Sequence, residues 1–370
     1  MFKKTISVLL ALVFILATCI SAVSCSSGKV VMSFENYKVT EDMYRYWMIN
    51  WKDYYVNNYS DVEDSDEFWQ GENIQGGTNE QYLTEQIEQR IQYYLVAQAL
   101  FEKYKLKLTS QEKDAVKQDI DEQIEYFGSR SAFNSHLHDK YGIDVNVLED
   151  VYVWEAKYNT VYKHLFDVEN GIMTSTDAEI DEYYKDNYAR VKYVMFFKAV
   201  KYVYDDNGKK LTDANGNYKF EDLSEQQQTE VAKKVQKLFE EIKGGADIDP
   251  HVEKLMPEFG FDVAKYPNGF YITADEYSLH TAAVTSAALE MEVNEVRLAE
   301  SEDCFFIIKK LDLVDKAYVG ADNSQFTNIV KYSNSFKFLQ YFDSFAKDIE
   351  YDESFKELYK LSTLSDMKFN

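Results

Sequence analysis

Apolar positions along this chain keep three different periods. Residues 5 to 20 form an almost unbroken apolar run behind Lys3 and Lys4, and the run ends in Ser21-Ala22-Val23-Ser24 before Cys25. A basic start, an apolar stretch and a small-residue end make a secretory leader, and the run falls short of the ~20 residues that cross a bilayer. From Val30 to Val39 the period is two, which predicts a strand or hairpin turning at Glu35-Asn36. From Glu41 the period lengthens: Met43, Tyr44, Trp47, Met48, Trp51, Tyr54 and Tyr55 recur at steps of three and four and predict a helix to Asn57, with Thr40 as its cap. Tyr82, Leu83, Ile87, Ile91, Tyr94 and Leu95 predict a second long helix over 79–104. Thr109 or Ser110 with Glu112 makes a capping box for a third, and shorter periodic stretches predict helices over 132–141, 146–166 and 178–188. Residues 60–78, acidic and Gly-bearing, read as a loop, and the rest of 40–188 as helical.

At Ala189 the pattern changes again. Residues 190–204 are rich in Val, Tyr and Phe and predict a strand pair, while Asp205-Asp206-Asn207-Gly208 and Asp213-Ala214-Asn215-Gly216 are turn sequences. A helix over 224–243 closes at Gly244-Gly245. Gly269-Phe270-Tyr271 opens a further strand, a helix follows over 282–289, and 295–298 and 304–311 are apolar strands. From Phe326 to Leu361 the pattern is helical once more, with Phe336, Leu339, Tyr341, Phe342 and Phe345 available to pack. The expected fold class is therefore α+β and mainly α: a helical domain with an inserted α+β domain. The boundaries expected are 1–24 for the leader, 25–33 for a tether, 34–188 for the helical domain, 189–315 for the insert, and 316–370 for a C-terminal segment that packs back on the first helices.

Composition narrows the function classes. With 40 basic and 64 acidic residues the formal net charge is −24, which repels phosphate backbones and argues against nucleic-acid partners. Only 3 Pro and 14 Gly interrupt 370 residues, in keeping with long helices. The run Ala22-Val23-Ser24-Cys25 resembles the bacterial lipobox, although Ala22 stands where Leu is commoner, and the resemblance implies a lipidated Cys25 at the mature N-terminus. Cys19 after Leu16-Ala17-Thr18 is the competing cysteine. Either way the body is expected at the outer face of the cytoplasmic membrane, anchored by lipid. Cys304 would remain as the one unmodified thiol after processing at Cys25, so no internal disulfide is expected. His136, His138, His164, His251 and His280 form no metal-ligand pattern, and Asp213 to Gly216 lacks the Glu that completes an EF-hand loop, so no metal or other cofactor is expected.

The order of leader, helical segment, compact β-α-α-β-β insert and closing helix resembles the PrsA/SurA-like extracytoplasmic foldase lipoproteins, which carry a parvulin-type peptidyl-prolyl isomerase domain. The resemblance rests on Phe34-Glu35-Asn36-Tyr37-Lys38-Val39-Thr40, on Leu106 to Glu112, on Thr176 to Tyr184, on Ala287 to Val296 and on Phe306-Ile307-Ile308-Lys309-Lys310. It implies that two histidines should stand where this chain has Tyr193 and Phe306, a glycine where it has Asn294, and a pocket Phe where it has Leu289. No catalytic residue is therefore assigned; Tyr193, Phe306 and Leu289 are degenerate isomerase positions, and whether the chain is an enzyme stays open.

Prolyl isomerisation needs only a pocket that prefers the twisted amide, so a weakly active isomerase is one alternative. A solute-binding lipoprotein of a transporter is another, although it would call for two α/β lobes rather than uninterrupted helices. The leading expectation is a chaperone for unfolded or secreted polypeptides, which needs accessible aromatic groups ringed by charge and no catalytic residue. Trp47, Trp51, Tyr54, Phe68 and Trp69 are the candidate client-binding positions, with core packing as the competing role for Trp47 and Trp51. Client identity and oligomeric state are not encoded in any motif.

Overall fold

The computed structural model describes residues 28–59, 62–73, 76–275, 282–320 and 324–367. The predicted leader, Cys19, Cys25 and His280 lie outside them. In chain order the elements are β1 (Val30–Phe34), β2 (Tyr37–Thr40), α1 (Glu41–Asn58), α2 (Asp66–Gln70), α3 (Asn79–Lys103), α4 (Ser110–Tyr126), α5 (Arg130–Tyr141), α6 (Val145–Phe166), α7 (Asp177–Asn187), β3 (Tyr188–Phe197), β4 (Val200–Tyr202), β5 (Phe220–Asp222), α8 (Glu225–Lys243), α9 (Asp249–Leu255), β6 (Phe270–Thr273), α10 (Ala282–Glu290), β7 (Val296–Glu300), β8 (Cys304–Leu311), α11 (Ile329–Asp343), β9 (Glu350–Tyr351) and α12 (Ser354–Leu358). The fold class is α+β with helix predominant. Among the described residues no helix is long and apolar enough to cross a membrane.

Local chemistry explains most boundaries. The side chain of Thr109 accepts from the Glu112 amide at 3.2 Å while Glu112 accepts from the Thr109 amide at 2.8 Å, the expected capping box, and Thr78 with Gln81, Thr176 with Glu179 and Ser224 with Gln227 repeat it. Thr40 departs from expectation: its hydroxyl makes no cap bond to α1. Gly142 ends α5 in the left-handed region at φ 64°, where glycine has no Cβ to clash.

The chain divides into two compact units. The first joins the described residues up to Thr174 with those from Phe336 on. Its core gathers residues of α1, α3, α4, α5 and α6 with Phe338 and Phe342 of α11 and with Phe355, Tyr359, Leu361 and Leu364 beyond it. A small sheet of order β2-β1-β9 sits at its start, and its two-residue strand β9 is too short to carry any pattern in the sequence. The packing stripe of α11 also differs from expectation. Phe336 and Leu339 are exposed, whereas Phe338 and Phe342 are buried among Tyr93, Tyr158 and Phe166, with ring centroids 5.5–6.3 Å apart typical of edge-to-face pairs.

The second unit is Ser175–Ser335. Its main sheet is fully antiparallel in the order β6-β3-β8-β7, covered by α8, α9 and α10 through Val235, Leu238, Val252, Val284 and Ala288. The expected strand pair over 190–204 is corrected. β3 pairs with β6 and β8, while β4 turns away to pair with β5, because the sheet offers β3 longer apolar partners. Both Asp-x-Asn-Gly turns lie between β4 and β5, with Gly208 and Gly216 left-handed and the Asp205 and Asp213 carboxylates accepting from the amides that follow. Backbone bonds hold Asp213 below the ordinary carboxylate range.

The expected domain boundaries at 188 and 315 move outward to 174 and 335. Ile180, Tyr183 and Tyr184 of α7 bury with Tyr188, Tyr271, Phe326 and Ile329, which ties α7 and the start of α11 to the second unit.

Candidate functional site

The aromatic positions singled out on α1 separate by burial. Trp47 is fully buried, its ring 5.2 Å from Tyr94 and 6.2 Å from Trp154, and its Nε1 donates to Glu155 Oε1 at 2.9 Å. As a client-binding position it is corrected to core. Trp69 is corrected likewise. Although it lies in the acidic connection after α1, it is buried, its Nε1 donates to Asp64 Oδ1 at 2.9 Å, and the buried Lys52 ammonium meets the same carboxylate at 2.8 Å and stands 5.4 Å from the Trp69 ring. The stretch reads as polar because its charge serves to bind one tryptophan down. Phe68 is partly buried, edge-on to Trp69 at 5.0 Å.

Trp51 and Tyr54 come together at the surface. They lie 5.3 Å apart, and Tyr55 and Tyr59 complete a continuous patch, with Tyr54 to Tyr59 at 6.1 Å and Tyr55 to Tyr59 at 5.8 Å. Tyr54 is 45% and Tyr59 46% exposed. Arg90 from α3 stacks on the Trp51 ring at 4.7 Å, fixing the inner edge of the patch by a cation–π contact. Tyr59 was not among the sequence candidates. It falls one residue beyond α1, but its step of four from Tyr55 continues the helical stripe and was the available signal.

Beneath this patch Glu155 carries an unusual charge. Burial pushes its carboxyl above the ordinary range, against the Trp47 hydrogen bond and the nearby Arg90 guanidinium, which pull it down. A raised folded-state value means the native state holds the proton more tightly than the unfolded chain, so this residue's contribution weakens as pH rises out of the carboxylate range. Glu155→Gln keeps an oxygen to accept from Trp47. It is expected to raise the melting temperature at pH 8, with the gain vanishing near pH 4, and thermal unfolding at the two pH values checks it.

In the second unit the two positions where the resemblance would place histidines lie side by side. Tyr193 on β3 pairs with Ile308 on β8, and Phe306 lies two residues along on the same face, which sets their rings 6.3 Å apart. Phe270 at 5.3 Å and Phe261 at 6.1 Å enclose Tyr193, both Tyr193 and Phe306 are buried, and burial pushes the Tyr193 hydroxyl well above its usual value. No proton donor or acceptor near neutrality results from this pair. Leu289 on α10 is partly buried against the same core. Asn294 adopts φ 68°, the left-handed conformation that asparagine tolerates best after glycine.

The histidines are scattered. His136 stacks on Phe127 at 4.4 Å with its pKa lowered by burial and by Lys140, His164 lies edge-on to Tyr104 at 5.4 Å, and His138 is exposed. Among the described residues no cluster of three or more His, Cys, Asp or Glu is placed to hold a metal ion.

Neither a family model nor a curated relative matches the chain. Among solved structures it is similar to PrsA from Bacillus subtilis, with 16% identity over 76% of this chain and 91% of that one at a TM-score of 0.22. It is similar also to the foldase protein PrsA from Streptococcus pneumoniae, at 14% identity over 76% and 94% with a TM-score of 0.23. A third is the foldase protein PrsA from Lactococcus lactis, at 11% identity over 92% and 98% with a TM-score of 0.23. These neighbours are PrsA foldases.

Proposed function

We propose that the protein is an extracytoplasmic chaperone of the PrsA/SurA-like foldase kind, held at the outer face of the cytoplasmic membrane by a lipid on Cys25, which grips unfolded secreted polypeptides through the aromatic surface at the end of α1. The observation that carries this reading is the exposure of Tyr54 and Tyr59 on a ring cluster backed by Trp51 and Arg90. Contiguous exposed aromatics on a soluble unit mark an interaction surface, and rigid rings with a hydroxyl rim hold many sequences weakly, as a holdase must. The strong negative charge keeps a client complex soluble and favours basic clients. The parvulin-like unit contributes no imidazole pair at Tyr193 and Phe306, so on this reading it binds or spaces without catalysing isomerisation.

Aggregation of a chemically unfolded client, followed by light scattering, tests the proposal. Replacing both tyrosines (Tyr54→Ser with Tyr59→Ser) leaves the core untouched, so stability should stay within about 0.5 kcal/mol of the parent. Suppression should then require about five- to tenfold more protein, the loss expected when roughly 1–1.4 kcal/mol of ring contact is removed. Undiminished suppression by a folded double variant sinks the assignment of this surface.

A further inference from the structure

The second unit holds a cavity of about 920 Å³ between the β4–β5 arm and one face of α8 and α9. Neither Tyr193 nor Phe306 lines it, and it shares no residue with the aromatic surface at the end of α1. One wall is a stack of rings: Phe197 lies 5.4 Å from Tyr202 and 5.0 Å from Phe259. Lys210, reaching from between the two turns of the arm, ties that wall in place. Its ammonium donates to the Glu258 carbonyl and stands 3.7 Å from the Tyr202 ring.

The helical side supplies lysines. Lys234 and Lys237 of α8 and Lys254 of α9 line the cavity with Glu241 and Glu258, and the arm adds Lys201 and Glu221. Lys201 takes Glu221 at 2.6 Å and Lys237 takes Glu241 at 3.8 Å. Lys234 lies 5.3 Å from the Phe196 ring, and among the described residues neither Lys234 nor Lys254 has a carboxylate within ion-pair distance. A net positive lining is the inverse of a chain whose overall charge is −24.

We infer that this groove binds an extended polypeptide segment that carries Asp or Glu beside aromatic or aliphatic side chains. The ring wall takes the apolar side chains, and the ammonium groups of Lys234 and Lys254 take the carboxylates. Lining positions on α8 run from Val231 to Glu241, about 15 Å of helix, which matches four to five extended residues better than a compact ligand. The surface on α1 and this groove then differ in charge preference, so one molecule would hold basic and acidic stretches at separate places.

The test is fluorescence anisotropy on the full mature chain with a labelled peptide that alternates Glu with Phe and Leu, against the same peptide with Lys in place of Glu. The acidic peptide should bind about tenfold more tightly, and high salt should erase most of that margin. Lys234→Glu with Lys254→Glu should abolish the preference, and Tyr204→Ser, which removes an exposed ring without changing charge, should weaken both peptides. Tyr54→Ser with Tyr59→Ser should leave the acidic peptide's affinity unchanged, which separates this site from the surface on α1. Equal affinity for the two peptides, or an unchanged preference in the folded double lysine variant, overturns the inference. Dimerisation in sedimentation that disappears with the lysine variant would also overturn it, assigning the groove to a second copy of this acidic chain.

Discussion

Glu88→Ala is expected to destabilise the first unit strongly for a substitution at a polar position. Glu88 is 3% exposed on α3, and its carboxylate accepts from the Tyr44 hydroxyl at 2.7 Å and from the Tyr351 hydroxyl, while its second oxygen meets the Lys356 ammonium at 3.2 Å. It thus binds α1, β9 and α12 to α3 at one buried point. Removing it leaves the Tyr44 and Tyr351 hydroxyls, 3.2 Å apart, only each other as partners, so one donor goes unmet at about 1–3 kcal/mol, and it unpairs a lysine that is exposed enough to recover water. The expected loss is about 2 kcal/mol, which with a urea dependence of about 2 kcal/mol/M moves the unfolding midpoint down by about 1 M. Glu88→Gln, which keeps one acceptor, should lose less. Burial and the Glu88 charge push the Tyr44 and Tyr351 hydroxyls far above their ordinary value of 10.0. Because these folded values are raised, the stability they contribute is complete below pH 10 and lost as pH rises beyond it, so the parent should show steep alkaline unfolding and Glu88→Ala a shallower one. A urea midpoint within error of the parent would show that this network does not hold the C-terminal segment.

Nothing in the sequence singles out Glu88. It follows Ile87 within an amphipathic helix and looks like one of the polar positions, because its partners lie far along the chain at Tyr44, Tyr351 and Lys356. Helix positions and caps were legible, since period and capping are local, and so was the α+β class. The buried Trp69 was not, because what buries it is an ion pair between Lys52 and Asp64 formed across a loop. The stripe on α11 was misread for a related reason. Phe336, Phe338, Leu339 and Phe342 offer two overlapping faces, and only the tertiary partners Tyr93, Tyr158 and Phe166 choose Phe338 with Phe342. At the aromatic surface Trp51 and Tyr54 were legible as a stripe, but exposure is a property of what fails to cover them, which no local pattern records. The groove of the second unit was invisible, because β4 was read within a strand pair over 190–204 and the three residues of β5 are too few to show a period.

Excision of the second unit has the largest expected contrast between outcomes. The first unit's core is built from α1, α3, α4, α5 and α6 with the chain from Phe336 on, and the fully buried rings Trp47, Phe166 and Phe342 all lie in those segments. Its two internal ends are near each other, since the Lys337 ammonium donates to the Thr174 carbonyl at 3.3 Å. A Gly/Ser linker of about six residues spans ~13 Å on average, enough to join Thr174 to Phe336 without strain. The shortened α11 keeps Phe338 and Phe342, and Glu88 keeps Tyr351 and Lys356. Replacing residues 175–335 by that linker should therefore give a cooperatively unfolding helical protein by circular dichroism and calorimetry. If the surface at Tyr54 and Tyr59 is where clients bind, it should retain most of the aggregation suppression per mole. An unfolded product would mean that the first unit needs the second to close its core. A folded product without suppression would move the client site to the second unit and make its groove the working surface. A folded and active product that loses only its affinity for acidic peptides would place the two binding functions in separate units of one chain.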